Sequence, residues 1–547
     1  MHTLLPGDNA SAAKIRLAML GRGAPLALVA FAVLLCTAVA ATSPRHSSVG
    51  TSLSSPHHRI TPSPHRQPPR APEILYDLTL RNDLDPPRFI VSIRAAVPLD
   101  EKSVRFQMPV WAPGDYHVQN FARYIGEPVA QGKNGPLKIQ RPDPNTWLVE
   151  ADDSPWVRIT YTVPQTPPGI FSDNVTIAPH YAFINGPAAF AYVVGWRTAP
   201  VRLVVSLPQN WRAEMPLDPA LSIGDSTAFS APDYDALVDS PLVAADPQGE
   251  VARDFEVDHV PHRAVFFHTP IDAAQADAFV PMLRQVAQAE NDIMGGPPYK
   301  RYEFLFDVGG GGGGLEHRNS ARLNMFPGQN PQGFDAFVAH EFFHLWNVKR
   351  IRPAVLGPFD YEHPPKTRNL WFAEGVTEYY AHVAVRRAGL ADRAAFRRHW
   401  RSAIARLQRN PARLRVSADD ASLHVWETGN SEGFNGLSYY DKGELIGLCL
   451  DLKIRHATGG AKSLDDVMRL LLERHNPPKP GYGEDEIRAT VSEVAGIDLC
   501  GFYDLLARST QEMPFAECLA YAGLDLNLSP QANATAEQVN LRDAWER

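Results

Sequence analysis

The segment His340-Glu341-Phe342-Phe343-His344 constrains this chain more than any other feature, and Glu374 stands thirty residues beyond it in Trp371-Phe372-Ala373-Glu374-Gly375. On an α-helix, residues i and i+4 share a face, so His340 and His344 direct two imidazoles at one point. Glu341 lies beside that point but off the histidine axis, where it can take a proton from a water held there. A second helix carrying Glu374 would add a third ligand. One Zn²⁺ per chain held by two histidines and a glutamate keeps a fourth position open, as a catalytic site requires and a structural site does not. Phe334, Phe337, Val338, Phe342, Leu345 and Val348 make the first helix apolar on more than one side and therefore buried. Two polar rings on a buried helix need partners, and a metal ion supplies them. Glu378 follows Glu374 by one helical turn, on the same face, where it can accept the other N–H of a ligating histidine. The pattern implies a zinc hydrolase.

A chain of 547 residues exceeds one ordinary domain, and two or three are expected. Its apolar content of 44% and charged content of 21% are those of a globular protein. The net charge of −8, with both signs interspersed and no Lys/Arg run, argues against a nucleic-acid-binding surface. At the N-terminus Lys14, Arg16 and Arg22 precede an apolar run, Ala24 to Val39, and Ala38-Val39-Ala40 offers a small-residue cleavage site. The run is shorter than the ~20 residues a span needs and contains Pro25, which favours a cleaved export signal (1–41) over a retained anchor. The mature protein is then expected in the periplasm or secreted, with no stable membrane span. Residues 42–72, dense in Ser, Pro, His and Arg, are expected to form a disordered linker. Cleavage leaves Cys449, Cys500 and Cys518. Cys449 falls in an apolar helical stretch and reads as a packed thiol, whereas Cys500 and Cys518 could pair in an oxidising compartment.

From 73 to 250 the signal is β. Arg88–Ile93, Val157–Val163 and Val201–Val205 alternate apolar and polar residues between Pro, Gly, Asn and Asp clusters, as in an antiparallel sandwich. No acid–base or metal constellation occurs there, so this domain is expected to support or shape a cleft. From 251 to 525 the pattern changes. A strand at Ala264–His268 precedes a helical stretch over 273–292, which Pro281 should kink or restart. A strand at Tyr302–Val308 and the glycine run Gly309–Gly314 follow. Helices are then expected over 394–407, 443–455, 463–474 and 484–494, with Ser463 and Asp466 forming a capping box. Residues 526–547 read as a polar tail. The chain is therefore an α+β multidomain protein, its β-sandwich-like domain followed by a mainly helical catalytic domain.

The glycine run lacks the Gly-Lys-Ser/Thr ending of a phosphate loop. A flexible linker directly after a strand inside a compact domain is also disfavoured. A glycine-lined edge strand would instead let a substrate backbone approach Gly313 and Gly314, with Glu316 at its end able to hold a substrate ammonium group.

Three strings then carry a resemblance: Gly313-Gly314-Leu315-Glu316-His317-Arg318-Asn319-Ser320, the stretch from His340 through Asn347 to Pro353, and Leu370-Trp371-Phe372-Ala373-Glu374-Gly375. With Pro109-Val110-Trp111-Ala112-Pro113-Gly114-Asp115-Tyr116 and Phe121-Ala122-Arg123, they resemble the glycyl aminopeptidase family, zinc metallopeptidases of the gluzincin clan. The likeness spans roughly 73–525 and implies a thermolysin-like catalytic domain. It also implies that Glu316, in a variant of the clan's Gly-x-Met-Glu-Asn motif, anchors the substrate α-amine, with His317 replacing the usual Asn. Tyr440-Asp441-Lys442-Gly443 matches the segment that supplies a transition-state tyrosine, which points to Tyr440, with Tyr439 as its neighbour. Family members usually continue into a PDZ domain, which this chain is expected to lack because it ends soon after Ala520–Leu524. The resemblance implies a zinc-dependent aminopeptidase acting on peptides with a free N-terminus and preferring a small first residue, glycine or alanine. An endopeptidase with the same chemistry and a non-catalytic peptide-binding relative remain open as alternatives. Nothing in the sequence sets the oligomeric state.

Overall fold

The computed structural model describes residues 73–547 apart from 98–100, 168–173, 225 and 311. The expected export signal and linker lie outside the described residues.

Alternation builds the first half. In β1 (Ile74–Arg81) the side chains of Ile74, Tyr76, Leu78 and Leu80 are buried and their neighbours only partly so. The same period buries Phe89, Val91, Ile93 and Ala95 of β2 (Arg88–Ala96) and Val157, Ile159, Tyr161 and Val163 of β3 (Trp156–Pro164). Register follows the pattern, with Leu78 opposite Val91 and Val91 opposite Tyr161. These strands belong to an eight-stranded sheet that is antiparallel except where β1 runs parallel to β4 (Val201–Ser206). Two four-stranded sheets complete the β half. Trp147, on one of them, packs against Tyr161 of the large sheet with ring centroids 5.5 Å apart, so apolar faces meet as in a sandwich.

The second half opens on a five-stranded sheet. Its spatial order is β5 (Glu250–Val257), β6 (Val260–His268), β7 (Tyr302–Val308), then β9 (Ser320–Met325) and β8 (Gly314–Glu316) at the edge. Every residue of β7 is buried, as a central strand flanked by parallel neighbours requires. Between β6 and β7 runs α1 (Ala273–Met294), whose first turn is capped by Asp272 accepting from the Gln275 amide at 2.7 Å. Of the kink or restart expected at Pro281, the restart does not occur, and the helix is continuous. Pro281 lies on the exposed side, where the carbonyl deprived of its partner can bond to water.

Helices then dominate: α2 (Asp335–Phe343), α3 (Val376–Arg387), α4 (Arg393–Arg409), α5 (Tyr439–Ala457), α6 (Leu464–His475) and α7 (Glu486–Ala495). Ser463 and Asp466 cap α6 reciprocally. The last segment, read from sequence as a polar tail, contains α8 (Ala536–Trp545), which buries Leu541 and Trp545. The Trp545 indole N–H donates to the Tyr379 hydroxyl at 3.2 Å, so this helix is docked on the catalytic half. All three described cysteines are free. Cys518 has Cys449 as its thiol neighbour, whereas Cys500 Sγ lies 3.7 Å from Ser492 Oγ. No helix among the described residues is long and apolar enough to cross a membrane.

Candidate metal centre

The helix carrying the two histidines is shorter than its apolar pattern suggests. It ends at Phe343, His344 is its C-cap, and the chain turns over the next residues. The turn has a use: the Asn347 carbonyl comes round to accept from His344 Nδ1 at 2.7 Å. Asn347 also holds the second ligand segment. Its Nδ2 donates to Phe372 O at 2.8 Å. Residues Trp371–Gly375 form a π-turn in which the Val376 amide bonds to Trp371 O. The wider turn frees carbonyls at Phe372 and Ala373, and Asn347 and Thr377 satisfy them.

Glu374 sits in that π-turn. Its Oε2 is 3.1 Å from His344 Nε2 and 3.5 Å from His340 Nε2, and the two Nε2 atoms are 3.1 Å apart. His340 Nδ1 donates to Glu378 Oε2 at 2.8 Å, and His344 Nδ1 donates to the Asn347 carbonyl. With Nδ1 the donor in each ring, the neutral form of both presents Nε2 lone pairs to the same point as the Glu374 carboxylate, and all three residues are buried. Burial lowers both histidines, but Glu374, with Glu378 for His340, outweighs it and raises them, so the ion-free pocket favours positive charge. Burial pushes Glu374 upward, but His344 and His340 hold it below the ordinary carboxylate range. Converging lone pairs and an ionised carboxylate in a dry site repel one another unless a cation joins them, and two nitrogens with one oxygen suit zinc. The residues fit the metal.

Glu341 is buried beside this set. Burial pushes its carboxyl up to about 7; the two histidines pull it down, and Glu316 and Glu374 oppose them. The glycine run meets it directly. A side chain at Gly314 would place its Cβ 2.3 Å from Glu341 Oε1, so any Cβ where edge strand β8 passes the carboxylate would push Glu341 from its place.

Glu316 ends β8, and ligand-type atoms of Glu316, Glu341 and His344 lie within 4.8 Å of one another. Its Oε1 is buried without a hydrogen-bond partner, with Lys349 Nζ 3.7 Å away. Lys349 is itself held by Asp239 at 3.0 Å, which also accepts from His317 Nδ1 at 3.1 Å. Asp239 belongs to the β half, so that half reaches the cleft. It does so again at Gly114, where a Cβ would meet both Glu316 oxygens at 2.8 Å, and at buried Tyr116, which feels the charges of Glu374 and Glu316. Gly114 and Tyr116 belong to a string noted in the sequence, yet no local signal there gave them a place at the site. Lys349 likewise lies in the noted stretch from His340 to Pro353 without a role assigned to it, and Asp239 carried no signal.

Tyr440 enters through helix crossing. Gly375 and Gly443 face each other so closely that a Cβ on Gly375 would lie 2.4 Å from Gly443 Cα. That contact lets α5 approach the π-turn and stacks Tyr440 on His340, ring centroids 5.9 Å apart. Burial, with Glu374 and Tyr439 adding to it, raises the Tyr440 hydroxyl well above its usual value, so it stays a donor. Tyr440 is partly exposed, whereas Tyr439 is fully buried with its hydroxyl unbonded. A cavity of about 1100 Å³, lined by residues such as Arg197, Arg352 and Tyr361, is also lined by Asp239 and Lys349 but by none of His340, His344 and Glu374.

An HExxH helix, a glutamate from a second helix and an adjacent carboxylate define a metallopeptidase centre. Comparison with known proteins agrees. The sequence profile of the M61 glycyl aminopeptidases matches residues 334–446, and that of the peptidase M61 N-terminal domain matches 79–246. The chain belongs to the M61 glycyl aminopeptidase family. No curated protein sequence matches it. Among solved structures, an aminopeptidase N family protein from Idiomarina loihiensis superposes with a TM-score of 0.74 at 24% identity, over 82% of this chain and 78% of that one. An M1 zinc metallopeptidase from Deinococcus radiodurans gives 0.53 at 11% identity, over 81% and 95%. Legionella pneumophila aminopeptidase A gives 0.51 at 12%, over 80% and 49%. At these identities the likeness shows the fold.

One consequence concerns Glu378. Its bond to His340 fixes the ring so that Nε2 faces the set, so Glu378→Gln should weaken metal affinity roughly 10- to 100-fold. Competition with a chromophoric chelator reads this directly, and unchanged affinity would make Glu378 a bystander.

Proposed function

We propose that this M61 metallopeptidase is a zinc aminopeptidase that removes a small N-terminal residue, glycine or alanine, from peptides with a free amine. The buried, unbonded oxygen of Glu316 at the end of a glycine edge strand, beside Glu341, carries the reading. His340, His344 and Glu374 would hold one zinc ion. Bound there, zinc polarises the scissile carbonyl and brings the pKa of water toward neutrality. Glu341 takes the proton of the attacking water and passes it to the leaving amine. Glu316 pairs with the α-ammonium and sets the register, so the first peptide bond lies at Glu341. The Tyr440 hydroxyl donates to the developing oxyanion, an interaction typically worth about 3 kcal/mol. Gly313 and Gly314 leave the edge of β8 open to the substrate backbone. The close approach of Gly114 to Glu316 supports the preference for a small residue, and the apolar N-terminal run supports export to the periplasm or beyond.

Metal dependence is the first test. Dialysis against a chelator should abolish hydrolysis of alanyl and glycyl peptides, and one equivalent of zinc per chain should restore it. Full activity in the stripped protein would overturn the reading.

A further inference from the structure

A second group of metal-type side chains lies outside the site. His382, His399 and Glu444 place one ligand-type atom each within 4.8 Å of the others. They come from three helices. His382 is on α3, His399 on α4 and Glu444 on α5, so the arrangement is a product of tertiary packing. The two imidazoles overlap, with ring centroids 3.3 Å apart and planes 24° from parallel. His399 Nε2 is 3.1 Å from Glu444 Oε2. Burial lowers His399 to about 4, so its ring carries a lone pair at neutral pH, and the same burial, with Glu378 adding to it, raises Glu444 to about 8, so an entering ion displaces a proton from that carboxyl. Glu444 is almost fully buried, while the two histidine side chains keep 19% and 22% exposure, enough for an ion to enter from solvent. Arg406 pairs with Glu444 Oε1 at 2.6 Å and leaves Oε2 turned to the histidines; its guanidinium is half exposed and can swing away.

We infer that His382, His399 and Glu444 form a second, exchangeable site for a divalent transition-metal ion of the zinc class. Two imidazoles and one carboxylate are the donor set that suits zinc, and a water would complete it. Partial exposure and the nearby Arg406 charge make it weaker than the buried site. It is joined to that site by helical spacing. Glu378 accepts from His340 on one side and lies 3.3 Å from His382 Nε2 on the other, one turn along α3. Glu444 follows Tyr440 by one turn of α5. Only this connection rests on the function proposed above; the second site does not.

The test is equilibrium dialysis of the full chain against zinc chloride, counting bound zinc, with circular dichroism to show that each variant is folded. The wild type should take up one tight and one weaker equivalent. His399→Ala and His382→Ala should each weaken only the second, by more than the roughly 10- to 100-fold that loss of an outer partner brings. His340→Ala should lose the tight equivalent and keep the weaker one. A wild type saturating at one equivalent, or a second equivalent indifferent to both α3 and α4 substitutions, would overturn the inference. A weak equivalent that follows His399 with no tight one would uphold it and refute the catalytic metal centre instead.

Discussion

Glu341→Gln should lower kcat by about 10²- to 10⁴-fold while the chain keeps its full metal content. The substitution preserves shape and removes only the ability to take and return a proton. Shape matters here because the carboxylate is wedged against Gly314, where even a Cβ would collide with it. The rival role is concrete: Glu341, Glu316 and His344 themselves form a group with ligand-type atoms within 4.8 Å. Metal analysis of the purified variant separates the two. An inactive variant with one zinc per chain makes Glu341 the base, and loss of the metal makes it a ligand.

Glu316→Ala should cut kcat/KM for glycyl and alanyl substrates by roughly 30- to 1,000-fold with zinc retained. A charge-assisted contact in a desolvated cleft is worth about 2–4 kcal/mol when removed, which sets that range. The structure sharpens the expectation. Lys349 stands 3.7 Å from Glu316 but is also held by Asp239, so Glu316 keeps charge available for an incoming ammonium. Cleavage of N-acetylated peptides, slow from the start, should not fall in step. Parallel loss on both substrate types would mean that Glu316 supports the site's structure and does not read the amine.

Much of this was legible in the sequence wherever one local rule acted alone. Strict alternation gave the strands around Val91 and Tyr161, the aromatic-rich Tyr302–Val308 read as a strand despite Glu303 and Asp307, and the Ser463/Asp466 pair gave the start of α6. The histidine spacing and Glu374 were readable because metal ligation demands fixed residue types. What escaped was set by tertiary contacts. The helix of His344 ends early because Asn347 turns back to it, and Glu374 is aimed by a π-turn that no periodicity encodes. Pro281 stays helical because its lost hydrogen bond faces solvent, which depends on which side of α1 is buried. The β half was expected to support or shape the cleft, but which residues do so was not readable, because Gly114, Tyr116 and Asp239 reach the Glu316 end from distant parts of the chain. Residues of the C-terminal segment looked too polar to pack, but Leu541 and Trp545 fall on one face of a capped helix and dock it.

The central claim is that this site reads a free N-terminus, and one comparison tests it: hydrolysis by the wild-type enzyme of the same alanyl peptide with a free amine and with an acetylated one. Acetylation removes the ammonium that Glu316 is placed to bind and leaves the scissile chemistry intact. The account predicts a kcat/KM at least ~30-fold higher for the free amine. Equal cleavage of the two peptides would contradict it and make the protein an endopeptidase.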